Sequence, residues 1–142
     1  METVRVLITD DEVELCDTLK SLLKEQWEAY LISAVYSGMD AFSLLEKQEY
    51  DVLITDIRMP GMSGIELMEK IYDIRKDMQT IVLTGHGDLD NAVRAMRLGA
   101  HNYLRKPVSA EVLHFAVKNA WEKKKSIQER RDAEQALRES EA

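Results

Sequence analysis

Cysteine is almost missing from this chain: Cys16 stands alone among 142 residues, so no intramolecular disulfide forms and a cysteine-rich metal site is excluded. Cys16 falls in a helical pattern, where packing is its expected role. Long apolar runs are missing too. Without a signal-type apolar segment or a stretch of membrane-spanning length, the expectation is a cytoplasmic protein with no membrane insertion. Excess positive charge is the third absence. The formal net charge of −7 argues against direct nucleic-acid binding and against anionic membranes. No repeat or low-complexity tract interrupts the chain. What is present, 45% hydrophobic and 32% charged residues, suits one folded domain with a single core.

Strand and helix signals alternate along that core. Val4 to Thr9 is a short β-branched run of the kind a parallel sheet covered on both faces requires. A helix from near Glu12 to near Trp27 carries Val13, Leu15, Cys16, Leu19, Leu22 and Leu23 on one broad face. Leu31 to Tyr36 reads as a second strand. Ser37-Gly38 then opens a helix in which Ala41, Leu44 and Leu45 recur at helical spacing. Asp51 to Asp56 is a third strand, followed by a loop built on Pro60, Gly61 and Gly64. Ser63 is placed to cap a helix whose buried stripe is expected at Ile65, Leu67, Met68, Ile71, Tyr72 and Ile74. Gln79 to Thr84 is a fourth strand. The turn Gly85 to Asp88 leads into a helix with Ala92, Val93, Ala95, Met96 and Leu98, ended by Gly99 in the position that favours glycine. His101 to Arg105 is a fifth strand, and Ser109 caps a last helix containing Val112, Leu113, Ala116, Val117 and Ala120. Such alternation predicts an α/β fold with a doubly wound parallel sheet, right-handed crossovers and helices on both faces.

In such a sheet the carboxyl ends of the strands face the ligand crevice. Asp10 and Asp11 follow the first strand, Asp56 ends the third, Thr84 ends the fourth and Lys106 follows the fifth. Two carboxylates about 4 Å apart repel by about 4 kcal/mol at an effective dielectric near 20, so three of them gathered there need a cation. Hard oxygen ligands select Mg²⁺ or Mn²⁺. An aspartate attacks a phosphoryl group only when the incoming negative charge is neutralised, which a metal and Lys106 would do, while Thr84 offers a hydroxyl to a phosphoryl oxygen. The set suits an acyl phosphate on Asp56. Taken singly, each residue has a blander reading. Asp10 and Asp56 would serve as helix caps, Lys106 as a solvated lysine, Tyr103 as core or rim, and Met59, Met62 and Met68 as packing. His86, His101 and His114 share no metal-ligand spacing.

The acidic pair Asp10-Asp11, the D-x-x-M-P-x-x-x-G run from Asp56 to Gly64, Thr84, the aromatic Tyr103 and Lys106-Pro107 stand in a shared order and spacing. Together they resemble the receiver domain of two-component response regulators, over about residues 4 to 120. The resemblance implies a flavodoxin-like five-stranded sheet of order 2-1-3-4-5. It implies that Asp56 is the phosphoacceptor, taking a phosphoryl group from the phosphohistidine of a histidine kinase or phosphotransfer protein. Asp11, Asp56 and the backbone carbonyl of Arg58 would bind Mg²⁺, with Asp10 holding a metal-bound water. Thr84 and Tyr103 would switch inward and Lys106 would pair with the phosphate, its bond to Pro107 being cis. Arg58 and His86 occupy positions that modulate phosphoryl hydrolysis in this family. The output face would be the helix from Asp88 to Leu98, the fifth strand and the last helix, shifting between two packings. The runs Thr84 to Asp88 and Ala92 to Met96 resemble the receivers of nitrogen-regulation-type activators.

On this reading residues 1–121 are the receiver domain, and residues 122–142 are a helical extension preceding an output or sensor domain. The extension is rich in Lys, Glu, Arg, Gln and Ala, all good helix formers. Heptads written from Leu113 place Ala116, Ala120, Ile127 and Leu137 on a seam, together with Lys123, Arg130 and Glu134, a weak coiled-coil pattern. The expectation is divided between a solvated, fraying end and a dimerising or signalling helix. Ala133 to Glu141 resembles the helical lead-in to a PAS sensor domain. A homodimer would form through the 88–120 face or this helix. Other classes fit less well. An aspartyl-phosphate phosphohydrolase would carry a second acid where this chain has Arg58, and the Asp10-Asp11-Glu12 loop repels the phosphate that a flavodoxin cradles. An unphosphorylated interaction or dimerisation module remains the alternative, and nothing here suggests an enzyme beyond self-catalysed phosphorylation and dephosphorylation.

Overall fold

The computed structural model describes residues 2–75 and 77–141. Five strands, β1 (Val4–Thr9), β2 (Tyr30–Val35), β3 (Val52–Asp56), β4 (Gln79–Thr84) and β5 (Asn102–Arg105), alternate with five helices, α1 (Val13–Gln26), α2 (Gly38–Lys47), α3 (Gly64–Ile71), α4 (Leu89–Arg97) and α5 (Ala110–Glu141). All neighbouring strands pair in parallel, in the order β2-β1-β3-β4-β5. This is the doubly wound parallel sheet that the alternation predicts, in the flavodoxin-like strand order that the resemblance implies.

The strand period of two sorts the core into two faces. Val6 and Ile8 of β1, Ile54 of β3 and Ile81 and Leu83 of β4 point to one side, where Cys16, Leu19 and Leu23 of α1 and Leu113, Ala116 and Val117 of α5 cover them. The intervening Leu7 and Leu53 point the other way, under Ala41 and Leu45 of α2 and Leu67 and Ile71 of α3. Val82 lies on that second side beneath Ile65 and Met68 of α3 and Ala92 and Ala95 of α4. Burying each large aliphatic side chain contributes about 1.5–3 kcal/mol. Met59, Met62 and Met68 are buried, as is Cys16. Packing is what holds them.

Local chemistry sets the helix ends. Ser63 caps α3 by accepting from the Glu66 amide at 3.1 Å, and the Glu66 carboxylate lies 3.4 Å from the Ser63 amide that donates to it, a reciprocal capping box. Gly99 ends α4 with φ +101°, a left-handed conformation that glycine adopts without steric cost. Ser109 accepts from the Val112 amide at the start of α5.

Several expected boundaries and buried stripes shift. The second strand is Tyr30–Val35, one residue earlier than expected, because β1 pairs Val4 with Tyr30 and Thr9 with Val35. Asp51 stands just before β3, where its carboxylate accepts from the Arg5 amide at 2.8 Å. His101 stands outside β5. Tyr72 and Ile74 do not join the α3 stripe: the helix stops at Ile71, and Tyr72 is 64% exposed. Val13 and Leu22 of α1, Val93 and Met96 of α4 and Val112 of α5 also face outward in part. In α4 the two small alanines sit against the sheet, so the larger neighbours fall on the outer flank.

An aromatic cluster joins α1, β2 and α5. Trp27 packs edge-on against Tyr30, His114 and Trp121, with ring centroids 5.3, 6.0 and 5.5 Å apart. The Tyr30 hydroxyl lies 2.7 Å from His114 Nδ1, an arrangement that neutral His114 satisfies by accepting at Nδ1. Burial first, and the Lys118 charge second, lower the His114 pKa from its ordinary 6.5. A depressed folded pKa contributes stability that is complete above the unfolded value and is lost as pH falls through the folded one. The urea midpoint is therefore expected to decline as pH drops below about 6.5, and His114→Gln should flatten that decline. An unchanged profile in the variant would remove His114 from the account.

Candidate functional site

Parallel pairing brings the chemistry to one edge of the sheet. Asp10 follows β1, Asp56 ends β3, Thr84 ends β4 and Lys106 follows β5, and all four strands stop at the same carboxyl end. Asp10 is fully buried, Asp56 is 7% exposed and Thr84 is 3% exposed. One carboxylate oxygen from each of Asp10, Asp11 and Asp56 lies within 4.8 Å of the others. No other such cluster of three or more acid, histidine or cysteine side chains occurs among the described residues, and His86, His101 and His114 are not gathered into one.

Lys106 closes this acidic edge. Its Nζ donates to Asp10 Oδ2 at 2.9 Å and to Asp56 Oδ2 at 3.0 Å, with Glu12 Oε1 at 3.9 Å. The turn that aims it contains a cis Lys106-Pro107 peptide, and the Lys106 amide is tied to the Thr84 carbonyl at 2.8 Å. Burial pulls the ammonium pKa down, but the hydrogen bonds and charges of Asp10 and Asp56 outweigh it and the net shift is upward. Asp56 is also shifted upward: burial and the nearby Asp10 charge outweigh the lowering by Lys106 and by the Arg58 amide. Two upward shifts within one ion pair look contradictory. They are not, because the one ammonium is shared by two acids and cannot fully offset the desolvation of the more buried edge.

The β3–α3 loop holds the remaining groups in place. The Arg58 amide approaches Asp56 Oδ1 at 3.4 Å, Ile57 donates to the Leu83 carbonyl at 3.1 Å, and Gly64 donates to the Ile57 carbonyl at 2.8 Å. The Asp10 carboxylate accepts from the Glu12 amide at 2.9 Å, so the acid that follows β1 also shapes the turn into α1. Thr84 Oγ1 donates to the Leu104 carbonyl at 3.4 Å. Tyr103 stands at the rim, 36% exposed.

One contact was not legible in the sequence. Arg58 Nε donates to Asp88 Oδ1 at 2.7 Å, a second guanidinium nitrogen lies 2.5 Å from the same oxygen, and Asn91 Nδ2 lies 3.4 Å from it. Asp88 is buried and makes no capping bond at the head of α4. An aspartate at that position ordinarily caps its own helix, and no local signal distinguishes one that turns to an arginine 30 residues away. The pair joins the loop after Asp56 to the start of α4.

The pattern of the response regulator receiver domain matches residues 6–118. The chain belongs to the response regulator receiver domain family. The receiver domain is 33% identical over 131 residues to the C4-dicarboxylate transport transcriptional regulatory protein DctD of Rhizobium meliloti (strain 1021), covering 92% of this chain and 28% of that protein. It is 34% identical over 110 residues to the transcriptional regulatory protein YesN of Bacillus subtilis (strain 168), covering 75% of this chain and 29% of that one. Among solved structures, a response regulator receiver domain protein from Clostridium thermocellum superposes with a TM-score of 0.82 at 38% identity, over 87% of this chain and 98% of that one. This receiver domain thus spans less than a third of the length of the curated relatives it matches. Among the described residues, no helix is long and apolar enough to cross a membrane.

Proposed function

We propose that this receiver domain accepts a phosphoryl group on Asp56 from the phosphohistidine of a histidine kinase or phosphotransfer protein. The observation that carries the reading is the Asp56 carboxylate held 3.0 Å from Lys106 Nζ and gathered with Asp10 and Asp11 at the carboxyl end of the sheet. An Asp56 oxygen attacks phosphorus, the new O–P bond forms, the P–N bond breaks, and its electron pair returns to the donor imidazole. Lys106 draws off negative charge from the phosphoryl oxygens as they arrive. Thr84 leaves the Leu104 carbonyl to donate to a phosphoryl oxygen, which opens room for Tyr103 to move inward. This domain is a switch and not a turnover enzyme.

The three clustered aspartates offer hard oxygen atoms suited to Mg²⁺ or Mn²⁺. Asp11, Asp56 and the Arg58 carbonyl would ligate the ion and Asp10 would hold its water; the ion's chemistry there is to neutralise the acids and the incoming phosphoryl charge. The face from Asp88 to Ala120 would pass the signal on. Leu89, Phe115 and Tyr103 lie exposed on it, which supports packing against an output domain or a second copy. Residues 122–142 would lead into that further domain, of transcriptional-regulatory or PAS type.

The decisive experiment is intact-protein mass spectrometry after incubation with Mg²⁺ and acetyl phosphate, with an Asp56→Asn control. One hydroxylamine-labile phosphoryl group on the wild type and none on the control is the expected result. If Mg²⁺ binds and neither protein is labelled, the domain is an unphosphorylated interaction module.

A further inference from the structure

Helix α5 runs without interruption from Ala110 to Glu141, although its core-facing stripe of Leu113, Ala116, Val117 and Ala120 ends at Ala120. What holds the next ten residues differs in kind. Lys124 Nζ lies 2.6 Å from Asp51 Oδ1, Lys125 Nζ lies 3.0 Å from Glu2 Oε1, and Arg131 pairs with Asp77. Glu2, Asp51 and Asp77 precede β1, β3 and β4, so all three acids belong to the amino edge of the sheet, opposite Asp56. Asp51 is fixed by its second oxygen, which accepts from the Arg5 amide. Hollows of about 290 and 190 Å³ lie beside the helix, lined in part by Asp77, Lys124, Gln128 and Asp51. The contact is therefore polar and incompletely packed. Beyond Arg131 every described side chain is exposed.

The first part of the expected seam is taken up within the receiver, whereas Leu137 stays exposed. Leu113, Ala116 and Ala120 are buried within the domain, and Ile127 is half-buried. Lys124, Ile127 and Arg131 thus tie an otherwise exposed stretch to the receiver, and self-association through Leu113, Ala116, Ala120 and Ile127 would first require their release.

We propose that residues 122–131 are an electrostatic strap. Lys124 and Arg131 dock the helix on Asp51 and Asp77 at the amino edge of the sheet, and the docked helix sets the direction in which residues 132–141 leave the receiver. Because the docking rests on partly exposed ion pairs with little apolar burial, it loosens with salt or with loss of either cation. It acts at the far end of β3 from Asp56 and does not depend on the phosphoacceptor reading.

Amide hydrogen exchange on the 142-residue protein tests this directly. In the charge-reversed variant K124E/R131E, amides of residues 122–131 should exchange about tenfold faster than in the wild type, while those of β3 and β4 stay unchanged. Raising NaCl to molar concentration should move the wild type toward the variant. The swapped pair D77R/R131D should recover protection that R131D alone loses. Wild-type exchange rates in K124E/R131E, or no recovery in the swap, would overturn the strap. Should K124E/R131E disturb β3 and β4, the milder K124Q/R131Q is read by the same criterion.

Discussion

Lys106→Ala is expected to lower phosphoryl acceptance from acetyl phosphate by about 10²- to 10³-fold, the usual effect of removing one preorganised charge from a transition state. The same substitution should reduce stability by about 3 kcal/mol in metal-free buffer. Both effects have one origin. Lys106 donates simultaneously to Asp10, which is fully buried, and to Asp56. Without it two desolvated carboxylates face each other with no cation. Asp56, already shifted upward by burial, loses the group that lowers it, and the incoming phosphoryl oxygens lose the cation placed to neutralise them. Millimolar Mg²⁺ should restore more stability to the variant than it adds to the wild type, because an ion bound only to the folded state stabilises by mass action. Urea unfolding with and without Mg²⁺, alongside labelling rates, checks this. A variant labelled at the wild-type rate would remove Lys106 from the chemistry.

Gly64→Ala is expected to cost more than 3 kcal/mol, beyond the usual range for overpacking. A Cβ at Gly64 would stand 2.3 Å from the Asp56 carbonyl oxygen, 3.0 Å from Ile57 Cα and 3.1 Å from the Asp56 carbonyl carbon. All three are backbone atoms at the end of β3, so no side-chain rotation relieves the clash. The loop must move, carrying with it the Arg58 amide and the Ile57 carbonyl that receives the Gly64 amide. Gly85→Ala is the control. A Cβ there meets nothing within 4 Å and the residue has no positive φ, so stability should stay within about 1 kcal/mol of the wild type or rise slightly. Equal unfolding midpoints for the two variants would refute the close-approach argument.

Much of the fold was legible because burial repeats along the chain. The all-buried β3 and β4 read as apolar runs, whereas β2, an edge strand with Leu31 outward, gave a weaker pattern and slipped by one residue. Tyr72 and Ile74 misled because apolar character continues past Ile71 after the helix has ended. The strap was illegible for the opposite reason. Lys124, Lys125 and Arg131 look like any solvated helix face, and their acids lie 73, 123 and 54 residues away in sequence.

By itself the amino-acid sequence determined the order of strands and helices, the placement of Asp10, Asp56, Thr84 and Lys106 at strand ends, and the resemblance to receivers. These are local properties: hydrophobic period, turn residues and spacing carry them without knowledge of what lies opposite. Only the tertiary structure decided that one ammonium serves two buried carboxylates, that Arg58 reaches Asp88, and that the basic flank of α5 docks on the amino edge of the sheet. Each of those is a pairing of charges distant in sequence, and Coulomb attraction leaves no period in the chain from which its partner can be read.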